Sequence, residues 1–237
     1  NKIPLKNHLK ISAVAITLNE EKALPAFLER LWFVDEIIIV DSFSTDDTLA
    51  IAKKHEKVKV YQRAFDDFST QKNIAISKAT HDWVVFFDPD EVITKALAQE
   101  ILSSLENPKA IAYFVNRSFH FMGKRIKYSG LQNDDVIRVF NKNYCKYNDN
   151  LVHEVLETNG RTAKLKNTLP HYTYKSFDDY TSKMHHYSAL KAKMLYKKGV
   201  KPKGYHFFFR PWYRFIYQYF LRGGFLDGKE GFILAYV

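Results

Sequence analysis

Two continuous apolar runs in the first ninety residues end directly in acid: Ile37-Ile38-Ile39-Val40 in Asp41, and Trp83-Val84-Val85-Phe86-Phe87 in Asp88-Pro89-Asp90-Glu91. Runs this short and this apolar suit strands buried on both faces of a parallel sheet. In an open α/β sheet, ligands sit beyond the carboxyl ends of the strands. The acids are therefore expected to meet in one crevice, and that crevice to be the active site.

The segments around these runs alternate in the way that builds such a sheet. ISAVAIT reads as a first strand and Leu24 to Phe33 as a helix, with Pro25 in its first turn, where a missing N–H costs little. A Ser/Thr/Asp loop follows Asp41, then a helix over Thr48 to His55, a strand VKVYQR and a short helix from Ser69 to Ala79. After Asp90, Thr94 caps a helix through Glu106 whose Leu97, Ile101, Leu102 and Leu105 share one face. From Ala110 to about Tyr174 the runs IAYFVNRSFHF, VIRVF and VHEVLE have β propensity and are expected to form a smaller mixed or antiparallel layer. Ser176 and Asp179 open a helix from Phe177 to Lys198 that Gly199 and Pro202 end, and a second helical run spans Pro211 to Leu221. There is no internal repeat and no linker that would separate independent domains.

A length of 237 residues with 46% hydrophobic content fills a sizeable core, so disorder is not expected. The single cysteine, Cys145, cannot form an internal disulfide, which favours a reducing compartment, and it reads as a buried small hydrophobe. ISAVAIT is too short for a signal-peptide core, so export by that route is not expected. No stretch approaches the roughly 20 apolar residues needed to cross a bilayer. The net charge of +10 is unevenly spread: residues 1–159 hold 21 Lys and Arg against 22 Asp and Glu, residues 160–237 hold 15 against 4. That asymmetry suggests that one end faces a membrane surface, a nucleic acid or a phosphorylated substrate, although a solvated basic face would look the same.

The chemistry follows from the strand ends. Asp88 and Asp90, two apart in extended backbone, can turn their carboxylates to one side, and such hard oxygens suit Mg²⁺ or Mn²⁺ completed by water and substrate phosphates. Asp41 and the Ser42, Ser44, Thr45 and Asp46 that follow it offer acceptors to a nucleobase N–H or a ribose hydroxyl, unless the loop only caps the next helix. Thr17, Asn19 and Glu20 end the first strand and flank the same crevice, while Lys72 and Asn73 offer a cation and an amide to a diphosphate.

AVAITLNEE, VDEIIIVDSFSTDDT, QKN and VVFFDPDE, in that order and spacing, resemble the family 2 glycosyltransferases of the GT-A fold across nearly all of the first hundred residues. RVF followed by VHE, and the closing GGFLDGKEG, are similar to the bacterial subgroup that builds lipopolysaccharide core, including β-1,4-glucosyltransferases that modify a heptose. The resemblance implies a Rossmann-like, mostly parallel α/β sheet. It implies that Thr17, Asn19, Glu20 and Asp41 cradle the uridine of a UDP-sugar, with Lys72 near the nucleotide or diphosphate. Asp90 then binds the metal, with Asp88 behind it or on the ribose. Such enzymes invert the anomeric centre, which needs a general base. The segment after the D-x-D supplies it in relatives, and here Glu154 is the choice, with Asp134 and Asp135 as rivals; the usual Glu-Asp pair is not visible. Some GT-A enzymes recruit a histidine beyond the sheet as a further metal ligand, a role that would fall to His171.

The resemblance thus divides the chain into a catalytic domain over 1–175, its nucleotide-sugar half 1–108 and its acceptor half 109–175, and a basic C-terminal helical region over 176–237. Eleven aromatic residues lie between Tyr205 and Phe225, interleaved with Arg210, Arg214 and Arg222. A helix of about eleven residues is only roughly 16 Å long, too short to span a membrane but able to lie in its interface. The alternative is that these rings close a core or a dimer contact. The expected enzyme moves a hexose, glucose favoured, to a membrane-anchored glycolipid at the cytoplasmic face of the inner membrane, held by an anionic surface. Nucleic acid is not an expected partner. The alternatives are transfer to a polyprenyl phosphate, a nucleotidyltransferase, which lacks the expected Gly-rich basic loop, and a non-enzymatic nucleic-acid or membrane adaptor.

Overall fold

The computed structural model describes residues 9–131, 134–148, 155–174 and 176–237. These form two compact units, the first made of the residues through Asn116 with Asp135–Leu169, the second of Arg117–Asp134 with Pro170–Val237.

In the first unit, strands β1 (Ile11–Thr17), β2 (Glu36–Asp41), β3 (Val58–Gln62) and β4 (Trp83–Phe86) pair in parallel in the order β3-β2-β1-β4. Between them run helices α1 (Leu24–Arg30), α2 (Thr48–Lys53) and α3 (Phe68–Lys78), and α4 (Lys95–Glu106) follows β4. All six residues of β2 and all four of β4 are buried, because alternate side chains feed two separate cores. Ile37, Ile39, Trp83 and Val85 join Leu24, Phe27, Leu97, Ala98, Ile101 and Leu105 of α1 and α4 on one face. Ile38, Val40, Val84 and Phe86 meet Ala75 and Ile76 of α3 on the other. Each such side chain removed from water contributes about 1.5–3 kcal/mol. Leu102, expected on the inward face of α4, sits at the edge of the first core, half-buried. The caps are local: Asp67 accepts from the Thr70 N–H at 2.8 Å and Thr94 from the Leu97 N–H at 3.2 Å.

Beyond β4 the sheet continues through β5 (Ala112–Phe121), β7 (Asp134–Asn141) and β10 (Thr162–Tyr174) in the order β4-β7-β5-β10, with β7 antiparallel to β4. Of the runs expected to make a smaller layer, only VHEVLE reaches a separate sheet, as β9 (Leu156–Thr158) paired antiparallel with β8 (Cys145–Tyr147), a strand not expected from the sequence. Cys145 and Tyr147 turn into the second core, where Cys145 is the buried small hydrophobe expected. A short β6 (Lys124–Arg125) pairs with the far end of β5.

At the amino ends of the strands a polar clasp ties the sheet. Glu36, 5% exposed, accepts from Ser12 Oγ at 2.6 Å, from the Thr80 N–H and hydroxyl at 2.6 Å each, and from Lys59 Nζ at 2.8 Å. Burial alone would raise this carboxyl, but the Lys59 ammonium and the Ser12 and Thr80 donors outweigh it and hold it at about 2. A carboxyl so depressed stabilises the fold above its ordinary value of 4.5, and that contribution fades as the pH falls from 4.5 towards 2. Glu36→Gln is therefore expected to cost about 2–3 kcal/mol near neutrality and little at the acid end of that window. Denaturant titrations of both proteins across this range check it; parallel curves would exclude the linkage.

In the second unit, Phe121, Ile126, Tyr180 and Leu234 form a small core, with Phe121, Tyr174 and Tyr180 meeting edge to face. It carries α5 (Phe177–Lys197), which ends at Gly199 in the left-handed region (φ 71°), α6 (Gly204–Phe207), α7 (Phe209–Ile216) and α8 (Lys229–Tyr236). A π-helical turn, Tyr217–Leu221, prolongs α7. The closing GGFLDGKEG locks this unit. Asp227 accepts the Lys127 and Tyr128 N–H groups at 3.0 and 2.9 Å, and Lys124 Nζ meets the Asp227 carbonyl at 2.6 Å and Glu230 at 3.0 Å. A methyl at Gly231 would stand 1.9 Å from the Gly224 oxygen, so only glycine fits there.

Candidate active site

The register fixes where the acids lie. Thr17 pairs with Asp41 at the ends of β1 and β2, and Val14 pairs with Phe86, after which the Phe87 N–H donates to the Val14 carbonyl. Asp41 and the Asp88-Pro89-Asp90-Glu91 turn thus flank β1 at the same, carboxyl edge of the sheet. With adjacent strands about 4.8 Å apart, they stand on either side of one strand end.

The loops after β1 and β2 are laced together. Asp41, 0% exposed, accepts from Thr17 Oγ1 at 2.9 Å, from the Ser44 N–H at 2.8 Å and from Ser44 Oγ. Ser44 Oγ accepts the Asn19 N–H at 2.8 Å, Asn19 Oδ1 accepts the Thr45 N–H at 2.8 Å, and Thr48 Oγ1 accepts the Glu20 N–H at 2.7 Å. Asp46 accepts the N–H and hydroxyl of Thr48, the first residue of α2, and also the Glu21 N–H, while the N-cap residue Asp47 makes no side-chain cap bond, so this acid ties the loops together where it was expected to cap the helix. The Asp41 carboxylate thus builds the cradle from beneath, and Ser42, Phe43 and Thr45 form its outer edge.

Phe43 is held in the left-handed region (φ 61°) with its ring 54% exposed. A bulky residue there costs about 1–2 kcal/mol, and such strain gathers at ligand sites. Phe43→Gly is expected to be about 1 kcal/mol more stable than Phe43→Ala, since alanine keeps the Cβ that causes the clash. Equal urea midpoints for the pair would show that no strain is held there.

Asp88, Glu91 and Arg138 form a second constellation. Arg138, from β7, reaches Asp88 Oδ2 at 2.6 Å and Glu91 Oε1 at 2.5 Å, and Glu91 Oε2 accepts the Asp88 N–H at 3.0 Å. Glu91 is 0% exposed: burial pushes its carboxyl up, and the Arg138 cation works against that push. Burial opposes the Arg138 charge in turn, and Glu91 and Asp88 more than offset it, so the guanidinium stays ionised. Asp88 Oδ2 is thereby tied to Arg138, and Asp88 and Asp90 are both half-exposed.

Lys72, 8% exposed, lies with its ammonium 5.6 Å from the Phe86 ring centre and 5.0 Å from that of Tyr147, at cation–π range two residues before Asp88. Gln71 beside it joins Arg63 to Ser42. Asn73 departs from expectation. Its amide donates to the Tyr147 carbonyl and accepts the Tyr147 N–H, both at 2.9 Å, so it pins β8 instead of facing a diphosphate. An open groove of about 830 Å³ beside α3 and the β8–β9 pair, lined by Ile76, Lys142, Tyr144, Lys146 and Glu157 among others, contains none of the strand-end acids.

Glu154, with its neighbours Val152 and His153, lies outside the described residues. Its rivals are engaged. Lys164 Nζ at 2.6 Å and the Asn116 amide at 2.8 Å hold the exposed Asp135 carboxyl below its usual range, which weakens it as a proton acceptor, and Asp134 pairs with Arg117 at 2.6 Å. His171 belongs to the second unit. Among the described residues, no three His, Cys, Asp or Glu side chains gather as a complete metal cage. One or two carboxylates at a strand end nonetheless suit a cation such as Mg²⁺, which keeps waters and takes substrate phosphates as ligands. The sequence reading passed over Arg138 and Glu91; a lone cation inside the apolar run VIRVF was the signal for the first.

A family model, Glycosyl transferase family 2, matches residues 12–165. The lipopolysaccharide core biosynthesis glycosyltransferase LpsC of Rhizobium meliloti is 28% identical over 96% of this chain and 87% of its own length. The uncharacterized glycosyltransferase RT0209 of Rickettsia typhi is 28% identical over 94% and 81%. Among solved structures, S. aureus TarS 1-349 in complex with UDP superposes with a TM-score of 0.53 at 18% identity, over 72% of this chain and 62% of that one. The chain therefore spans less than two thirds of that structure, and the likeness shows a shared GT-A fold.

Proposed function

The chain belongs to glycosyl transferase family 2, and on that premise we propose that it moves a hexose, glucose favoured, from a UDP-sugar to a saccharide of a membrane-anchored glycolipid such as lipopolysaccharide core, with inversion. The observation that carries this reading is the single edge where the laced loops around Asp41 and the Asp88–Glu91 turn flank the end of β1. TarS, which shares the fold, has been crystallised with UDP, and LpsC bears the name of a lipopolysaccharide core enzyme. A glycosyltransferase family sets the adaptor and nucleotidyltransferase alternatives aside; transfer to a polyprenyl phosphate differs only in the acceptor.

Thr17, Asn19, Glu20, Asp41 and Ser42 hold the uridine, Asp41 by fixing Thr17 and Ser44 in place. Lys72 faces the nucleotide side, and Asp88 stays fixed by Arg138 or reaches the ribose. Asp90, with Asp88 beside it, would hold Mg²⁺ or Mn²⁺. When bound, such an ion supplies positive charge against the leaving diphosphate. The acceptor hydroxyl attacks the anomeric carbon opposite UDP: the new carbon–oxygen bond forms as the bond to the phosphate oxygen breaks, and UDP leaves with the electron pair. Glu154 takes the hydroxyl proton. Holding both substrates in line is the larger part of the protein's contribution. Residues 1–175 act as the catalytic domain and 176–237 as a membrane-facing region, with the enzyme peripheral at an anionic cytoplasmic membrane surface.

UDP with Mn²⁺ at about a hundredfold over Kd is expected to stabilise the protein by about 2.7 kcal/mol, roughly 5–10 °C in Tm. Glu154→Gln is expected to keep that shift while transfer falls by about 10²-fold or more. A Tm indifferent to UDP and metal would remove the donor site, and full transfer by Glu154→Gln would move the base elsewhere.

A further inference from the structure

Helix α7 and the π-helical turn after it bury none of their side chains. Phe207, Phe208, Phe209, Trp212 and Tyr213 are 66% to 77% exposed, and Ile216, Phe220 and Leu221 are also open to solvent. At 100° per residue, Phe209, Trp212, Tyr213 and Ile216 fall within one arc of about 100°. The adjoining flank is anchored: Phe215 and Tyr219 pack on Phe232 of α8 with ring centres 5.9 and 5.7 Å apart. The stripe is thus held outward by a fixed helix. No helix among the described residues is long and apolar enough to cross a membrane.

The charge around it is one-sided. Residues 180–226 contain ten Lys and Arg and no Asp or Glu. A second copy of this chain meeting the stripe face to face would set these ten cations against ten more, which opposes a symmetric dimer there. Ile216 and Leu221 have no use as stacking platforms for bases, whereas aliphatic and aromatic side chains together, rimmed by cations, match the boundary between acyl chains and anionic headgroups. Trp and Tyr favour that layer because one end of each ring is apolar and the other polar.

We propose that the stripe Phe208, Phe209, Trp212, Tyr213, Ile216 and Phe220 is a membrane-docking surface that enters the headgroup layer of an anionic phospholipid bilayer, with the surrounding Lys and Arg holding the lipid charge. It rests on the part of the proposed function that puts the acceptor in a membrane, and on none of its donor chemistry. The chain would then be kept at the surface where a lipid-borne acceptor is presented.

The test is flotation of the full chain with vesicles of phosphatidylcholine alone and of phosphatidylcholine mixed with phosphatidylglycerol. Binding is expected on the mixed vesicles, about tenfold or more weaker on the neutral ones and at high salt. Phe209→Glu and Trp212→Glu, at positions already exposed, are expected to lower it about tenfold or more with an unchanged Tm. The UDP and Mn²⁺ shift of Tm should persist in both variants. Flotation of the two variants like the parent overturns the proposal, as does binding of a single-stranded oligonucleotide without vesicles. So does a dimer broken by Trp212→Glu that never floats. Loss of the UDP response with flotation intact would instead remove the donor reading and leave the docking surface standing.

Discussion

Arg138→Leu is expected to lower stability by about 3–5 kcal/mol, the usual cost of removing one partner of a buried ion pair. The side chain is 4% exposed and stands between Asp88 and a Glu91 that solvent does not reach. Leucine would take away the guanidinium that meets Glu91, which keeps the Asp88 N–H and lies beside a second carboxylate. Burial already pushes the Glu91 carboxyl up, and without Arg138 that push loses its largest opponent, so the folded variant takes up a proton more readily than the unfolded chain. The sign follows: the deficit is largest at neutral or higher pH and shrinks as the pH falls and Glu91 is neutralised. Adding Glu91→Gln to Arg138→Leu should recover much of the loss, so a double-mutant cycle is the measurement. Additive losses would mean that the two residues act independently.

That constellation also marks the limit of what the sequence discloses. The runs ending in Asp41 and Asp88 could be read as parallel strands because they are continuously apolar, and a β2 or β4 buried on both faces has no other composition available to it. The caps of α3 and α4 were within reach, since Asp67 and Thr94 act on residues three positions away, although only Thr94 was recognised. Pairings across the chain were not. Arg138 meets Asp88 across fifty positions and Asp227 holds backbone N–H groups a hundred away, and no local period encodes either. For the same reason β5 and β7 could be read as strands but not as the continuation of the main sheet, and β10, which matches none of the runs read there and carries LPHYTY into the sheet, was not read at all. Phe43 is hidden differently: an aromatic in a polar loop gives no hint that its backbone is left-handed, because the cross-laced loops on either side impose that conformation.

Asp90→Asn is expected to reduce transfer on the order of 10³-fold, the scale of losing a principal electrostatic contributor to a transition state in which charge builds on the leaving group. Asparagine matches aspartate in size, and the position is half-exposed in the turn after β4, so the fold should remain. Asp88→Asn makes the informative contrast. Arg138 already answers the Asp88 charge, so that substitution should cost stability through Arg138 and Glu91, whereas the expected loss in Asp90→Asn is read in transfer. Two measurements separate the roles: transfer from a UDP-sugar, and the Tm shift by UDP with and without Mn²⁺. The parent's shift should grow when Mn²⁺ is present, and that of Asp90→Asn should not, if the proposed coupling of cation to nucleotide runs through this carboxylate. Transfer within tenfold of the parent, together with an undiminished Mn²⁺ effect, would show that Asp90 does not hold the ion and would leave Asp88 as the acid to examine at that strand end.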